Sequence, residues 1–350
     1  MILALFEDAG YLDFAPISLS TPLFLLKPGP HYVYEMWSGA LAPDSVALFI
    51  RSPLDGYWRW RLTVLEGKEV MINPGELDEE VLALNARVPP LPGNLETIAR
   101  AARSGTSVLL HSQGVPLAVK VSRGYSAVLA EILSRPPEPE LFFNLAEIVK
   151  DIPFRGSLIG GFGELGKVVH ELLRAQLEPT GGMVVSKGAE VEGNVRLRPP
   201  VYIGEGVKVV EGSEVSHSAV HGPSVVEGTV RCSLIEQYSE LRHSYVEGTL
   251  GMGCNLLTPY SSAWGEGARV MGFFARVFSS QLIGQVSAGV GAKVYVNVDY
   301  HVGSLRAATR EGIVELPKEE VVRELRVYLA RFNRLPSDHE VRLIEEAAHS

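Results

Sequence analysis

Cysteine is scarce in this chain: Cys232 and Cys254 are the only two in 350 residues. A disulfide framework and a cysteine-rich zinc site are therefore excluded. Long apolar runs are missing too. A membrane-spanning helix needs about 18 apolar residues in succession, and the longest contender, residues 14–26, is interrupted by Pro16 and Pro22 and stops at Lys27. The opening MILALFEDAG has no basic flank and no cleavage site, so no signal peptide is expected and the cytoplasm is the expected location. Positive charge is in deficit, with 32 Lys and Arg against 41 Asp and Glu and a net charge of −9 at pH 7. Nucleic-acid binding calls for a basic face, so neither nucleic acid nor a membrane is an expected partner. What remains, 46% hydrophobic and 21% charged residues, fits a folded globular chain. At roughly 150 residues per domain, the length suggests two domains or more.

Residues 1–155 read as an α/β domain. Residues 2–7 and 46–51 are short apolar runs ending in charge, as buried parallel strands are. Residues 76–86, 95–102, 126–133 and 144–150 read as helices, and 108–110 and 117–121 as further strands joined through a turn at Gly114. This alternation predicts a mostly parallel sheet with helices on its faces. Residues 156–180 read as a linker helix. It opens with Gly161-x-Gly163-x-x-Gly166, the local form of a dinucleotide-binding turn. The strand that should complete the βαβ unit is missing, so we read a glycine-rich helix entry.

Residues 181–310 carry a repeat. Val185, Val191, Leu197, Ile203, Val209 and Val215 recur every six residues. Three places after each comes a turn former (Gly188, Asn194, Pro200, Gly206, Gly212, Ser218), and four places after each a small or β-branched residue. One inward aliphatic, a turn and one small residue per hexad make one side of a triangular, left-handed parallel β-helix, with three hexads to a coil. The phase slips at Val220, Val226 and Cys232, then returns at Leu282, Ala288, Val294 and Tyr300, with Val286, Ala292 and Val298 in the small slot.

Residues 311–350 read as a helical tail. Pro317 suits a first helical position, Val321, Val322, Leu325, Tyr328, Leu329 and Phe332 share one face, and Ser337-x-x-Glu340 is a capping box. The helices are expected to cover the open end of the β-helix, where strand edges would otherwise be exposed.

Leu5-Phe6-Glu7-Asp8, then Pro16-Ile-Ser-Leu-Ser20-Thr21-Pro22, and later Met71-Ile-Asn-Pro-Gly-Glu-Leu resemble the short, divergent branch of sugar nucleotidyltransferases. With the repeat behind them, nearly the whole chain resembles the bifunctional sugar-1-phosphate nucleotidyltransferase/acetyltransferase family, which makes UDP-N-acetylglucosamine and related sugars. The resemblance implies a Rossmann-like nucleotidyltransferase fold for the first domain, with Mg2+ required if that half is active. Asp8, Thr21, Lys27 and Arg51 are its candidate nucleotide-binding residues. Thr21 stands where the branch has an arginine, and the larger family's GxGxR loop is absent.

The stretch from Ser233 through His243-Ser-Tyr245 to Asn255-Leu resembles the family's acetyltransferase motif. By resemblance His243 is the base, Tyr245 lies at the sugar and Asn255 near the acetyl or amine group. Acetyl-CoA is the co-substrate, and sites form between subunits of a homotrimer. The chemistry suits these types: an amine attacks a thioester only once deprotonated, histidine accepts that proton near neutrality, and the thioester oxygen needs a donor, from Asn255 or a backbone N–H. Arg198 and Arg242 could fork onto a sugar phosphate. The motif's GAGT is Leu257-Thr258-Pro259-Tyr260 here. The expected function is acetyl transfer to an amino-sugar 1-phosphate, with nucleotidyl transfer second. The alternative is a lapsed scaffold or regulatory subunit that binds a sugar nucleotide. Zinc on His217, His221 and His243 at a subunit boundary is a third reading, but their spacing does not match that of the β-helix carbonic anhydrases, which the chain resembles in fold only.

Overall fold

The computed structural model describes residues 1–145, 150–154 and 156–347. Its contacts divide into two units, residues 1–13, 22–27 and 31–160 in the first, and 14–21, 28–30 and 161–350 in the second.

In the first unit, β1 (Ile2–Phe6), β2 (Ser45–Phe49), β3 (Met71–Ile72), β4 (Val81–Asn85), β5 (Val108–Ser112), β6 (Val115–Val121) and β7 (Lys150–Pro153) form one sheet in the order β3-β2-β1-β4-β6-β5-β7. β1 lies parallel to β2 and β4, while β6 runs antiparallel to β4 and β5, so the sheet is mixed. Gln113 and Gly114, both with positive φ, make the turn expected between β5 and β6. Helices α1 (Val33–Leu41), α2 (Leu54–Arg59), α3 (Pro92–Ala102), α4 (Ser126–Leu133) and α5 (Pro139–Phe143) accompany the sheet. α3 and α4 are the expected helices; α1 and α2 were not foreseen.

Two expectations fail here. Residues 76–86 contain β4, a strand paired with β1. The acids at 78–80 imitate a helix N-terminus, yet Val81, Leu82, Ala83 and Leu84 are all fully buried, as on a central strand covered on both faces, which has no period of its own. The helix expected over 144–150 is also absent at its ends: Asn144 and Leu145 lie in a turn and Lys150 opens β7. Residues 146–149 lie outside the described residues.

In the second unit α6 (Phe162–Leu177) precedes the coils. A Cβ on Gly163 would stand 2.7 Å from Gln285 Nε2, and one on Gly166 3.4 Å from the Ala268 Cβ. These glycines let the helix approach the coils that follow.

From residue 183 to 308 the chain makes about seven turns of a parallel β-solenoid. Its strands stack in three ladders. The first runs from Met183–Val185 through Leu234–Ile235 to Ser287–Ala288. The second runs from Glu190–Val191 through residues 240–241 to Lys293–Val294. The third runs from residues 196–198 through 245–247 to Gln281–Ile283. Ile203, Val209, Val215, Val220, Val226, Leu282, Ala288 and Val294 all point into one core. Each buried aliphatic contributes roughly 1.5–3 kcal/mol relative to exposure. Val185 and Val191 remain 42% and 37% exposed, because the first coil covers them from one side only.

The 18-residue coil does not persist. Arg196 pairs with Glu214, 18 residues on, but Glu214 pairs with Thr229, 15 on, and Thr229 with Tyr245, 16 on. Ser262 then pairs with Gln281, 19 on. Corners absorb the differences with left-handed residues, His217, Cys232, His243 and Tyr260 among them. Cys232 and Tyr300 are therefore exposed, and Val230, Ile235, Val298 and Val302 face inward instead. Cys232 and Cys254 are not joined in a disulfide.

α7 (Lys318–Ala330) buries the expected face, and Ser337 caps α8 (Asp338–Glu346) through the expected reciprocal box with Glu340. α7 does not close the solenoid's end, however. It lies along a flank: Glu320 and Glu324 meet Lys293 at 3.1 and 2.8 Å, Glu324 meets Arg276 at 2.7 Å, and the Tyr328 hydroxyl donates to the Tyr238 carbonyl at 2.6 Å. Lys293 and Arg276, buried along that flank, are the helix's ion-pair partners. The final coil ends instead in an antiparallel hairpin, Arg306–Thr309 with Gly312–Glu315. Among the described residues, no helix is long and apolar enough to cross a membrane.

Candidate functional site

The strand Glu240–Glu247 spans a solenoid corner. Glu240 and Leu241 belong to the second ladder and residues 244–247 to the third, with Arg242 and His243 between them. In the preceding coil Val226 pairs with Leu241 and Gly228 with Ser244, so Glu227 alone opposes these two residues. His243 is the extra residue, with φ 42°. Its side chain is 65% exposed, and its Nε2 lies 3.0 Å from Glu227 Oε1. A carboxylate on one ring nitrogen orients the imidazole and leaves the other for a substrate.

A groove of about 570 Å³ lies between the second ladder and the end of α7; Arg242, the residue before His243, lines it, while His243 and Glu227 do not. At its floor Glu240 is buried and takes Arg331 Nη1 at 2.8 Å and Arg242 Nη2 at 3.6 Å, while Arg242 Nη1 is 3.9 Å from Glu227. Leu256, Thr258, Pro259 and Phe332 complete the wall. Arg331, Glu240, Arg242 and Glu227 thus alternate in charge along one line, with His243 next to Glu227.

The other proposed substrate residues stand elsewhere. Arg198 and Tyr245 lie on the third ladder. Arg198 Nε is 3.9 Å from Glu214, which also holds Arg231 at 3.0 Å. The Tyr245 hydroxyl donates to Glu247 at 2.7 Å, and that bond, with burial, raises its pKa. Asn255 occupies the corner that precedes the second ladder, whereas His243 occupies the one that follows it. Its side chain is buried and donates to the carbonyls of Gly272 at 2.8 Å and Ala275 at 3.4 Å. Glu227, Glu240 and Arg331 were not foreseen. Register would have supplied Glu227, since it lies one coil behind His243; nothing local marks Arg331.

In the first unit the proposed nucleotide residues are engaged internally. Arg51 forms a buried ion pair with Glu7, lies 4.1 Å over the Tyr11 ring and is pushed by burial down to about 9. Asp8 meets Arg87 at 3.1 Å, the Asn85 amide at 2.9 Å and the Gly10 N–H at 3.0 Å. Lys27 lies 4.9 Å over the Tyr32 ring. Thr21 is buried and grouped with the second unit, its N–H donating to the Ile17 carbonyl at 2.9 Å. With both carboxylates of this segment so committed, the residues do not fit a magnesium seat. Among the described residues no three His, Cys, Asp or Glu side chains group around a metal position. His217 packs near His170 and His221 near Tyr202, while His243 pairs with Glu227.

No family model and no curated protein matches the chain. Among solved structures it is similar to a candidate acetyltransferase from Bacillus cereus (9% identity over 46% of this chain and 93% of that one, TM-score 0.23). It is also similar to a mutant of perosamine N-acetyltransferase from Caulobacter crescentus, crystallised with CoA and GDP-perosamine (16% identity, 52% and 78%, TM-score 0.19). The third is PerB from Caulobacter crescentus with the same ligands (17% identity, 41% and 62%, TM-score 0.17). Scores this low establish no common fold over the chain; the solenoid stands on its own strand pairing.

Proposed function

We propose that the solenoid, coiled left-handedly, transfers an acetyl group from acetyl-CoA to the amine of an amino-sugar 1-phosphate. The observation that carries this reading is the exposed His243 held at 3.0 Å by Glu227, next in the chain to the groove-lining Arg242. His243 takes a proton from the attacking ammonium, and the amine–carbonyl bond forms as the C–S bond breaks. The imidazolium, oriented and stabilised by Glu227, returns that proton to the departing CoA thiolate, while the second amine proton passes to water. The sugar lies toward Tyr245, with Arg242 at its phosphate and Arg198 farther along the third ladder. Because the Asn255 amide is committed to two carbonyls, the thioester oxygen is assigned to a backbone N–H, the other donor considered. In a homotrimer the exposed imidazole would face a neighbouring solenoid. Nucleotidyl transfer by a Rossmann-like first unit rests on the resemblance of the LFED segment alone.

A second reading, a sugar-nucleotide-binding scaffold without catalysis, is favoured by the buried, internally bonded Asn255. Calorimetric titration of acetyl-CoA separates the two. Saturable binding of acetyl-CoA that is followed by acetylation of an amino-sugar phosphate supports the enzyme. Sugar-nucleotide binding with no heat from acetyl-CoA supports the scaffold.

A further inference from the structure

We propose that α7 belongs to the binding site, with Arg331 and Arg242 forming a two-guanidinium seat for a phosphate ester in the groove over Glu240. This rests on the amino-sugar-phosphate reading above and names the ligand group held, together with a residue outside the solenoid that holds it.

Two guanidiniums and one carboxylate line the groove, with Glu227 behind Arg242, and they are not equally placed. The Glu240 and Glu227 side chains are 6% and 21% exposed, whereas Arg242 and Arg331 are 40% and 56% exposed. The carboxylates are turned under and the guanidiniums reach the open side. Each guanidinium carries five N–H donors. Arg331 spends one on Glu240 at 2.8 Å, and the contacts of Arg242, at 3.6 and 3.9 Å, are too long for hydrogen bonds. The remaining donors face a ligand that accepts in pairs. Two forks from different elements, with the Thr258 hydroxyl one coil beyond Arg242, suit a tetrahedral phosphate better than a planar carboxylate. Arg331 is also held in place before any ligand arrives, since Glu320, Glu324 and the Tyr328 hydroxyl fasten α7 to four coils. Such preorganisation lowers the ordering cost of binding.

The test is calorimetric titration of glucosamine 1-phosphate and inorganic pyrophosphate into the full chain, with glucosamine as the phosphate-free control. Both phosphates bind saturably, and glucosamine does not. Affinity for them falls about tenfold or more in Arg331→Gln and in Arg242→Gln, as loss of a charge-assisted fork predicts. It is unchanged in Arg326→Gln, an exposed arginine on the same helix. Arg331→Gln leaves Glu240 without its nearer partner, so the double variant Glu240→Gln/Arg331→Gln, verified by circular dichroism, must show the same loss. Glucosamine binding as tightly as its phosphate, or wild-type phosphate affinity in the folded double variant, overturns the seat. His243→Ala separates the two proposals. Phosphate binding retained there while transfer is lost supports both, and arginine-independent phosphate binding with transfer intact removes the seat and leaves the reaction.

Discussion

Each unit sets a carboxylate under its surface, and what differs is where the partner goes. At the end of β1, Glu7 and Arg51 have side chains only 4% and 6% exposed, so the pair is sealed on both sides. At the solenoid corner Glu240 is as deeply placed as Glu7, yet Arg242 and Arg331 stand half in solvent. A pair sealed on both sides fixes packing and register. One sealed on a single side supports a charged group that still has donors to offer. His243 on Glu227, a carboxylate 21% exposed, is nearer the second kind, and the proposed chemistry is therefore placed on the solenoid.

The contrast can be broken by substitution. Glu7→Gln strands a buried guanidinium and should cost about 3–5 kcal/mol, measured by urea denaturation; a loss under 1 kcal/mol would mean that Arg51 reaches water. Leu241→Ala, at a solenoid-core position 1% exposed, should cost about 2–5 kcal/mol. Val185→Ala, in the same inward register but at the half-covered first coil, should cost well under half of that. Equal losses would contradict the account of the end coil. Ser337→Ala removes the box that starts α8 and should cost about 1 kcal/mol, read as a lowered melting temperature.

A smaller effect tests how α7 is fastened. Burial pushes the Glu324 carboxyl up, but Lys293 and Arg276 together hold it below its ordinary value of 4.5. A depressed acid stabilises the fold above its unfolded pKa and loses that contribution as pH falls through the folded value. Helix docking should therefore weaken below about pH 4.5, followed by the environment of Tyr328. Glu324→Gln should flatten that limb of the curve, and an unchanged limb would assign it to other carboxylates.

Much of the solenoid was legible because its signal repeats: Ile203, Val209 and Val215 stand six apart and all prove buried. The capping box at Ser337 was legible because two side chains three apart suffice for it. β4 was misread because a strand buried on both faces shows neither a period of two nor one of 3.6. Coil length was misread because an extra corner residue such as His243 changes register without changing composition. Arg331 was invisible for a different reason: its partner Glu240 lies 91 residues away, and only the lengthwise path of α7 joins them.

Release of CoA thiol from acetyl-CoA in the presence of amino-sugar 1-phosphates decides whether the solenoid catalyses acetyl transfer through His243. Wild type, His243→Ala and Glu227→Gln are compared, each confirmed as folded. The prediction is amine-dependent turnover in the wild type, a loss of about 100-fold or more in His243→Ala, as for a removed general base, and a smaller loss in Glu227→Gln. Undiminished turnover in folded His243→Ala, or no turnover by the wild type with any amino-sugar phosphate, would contradict it.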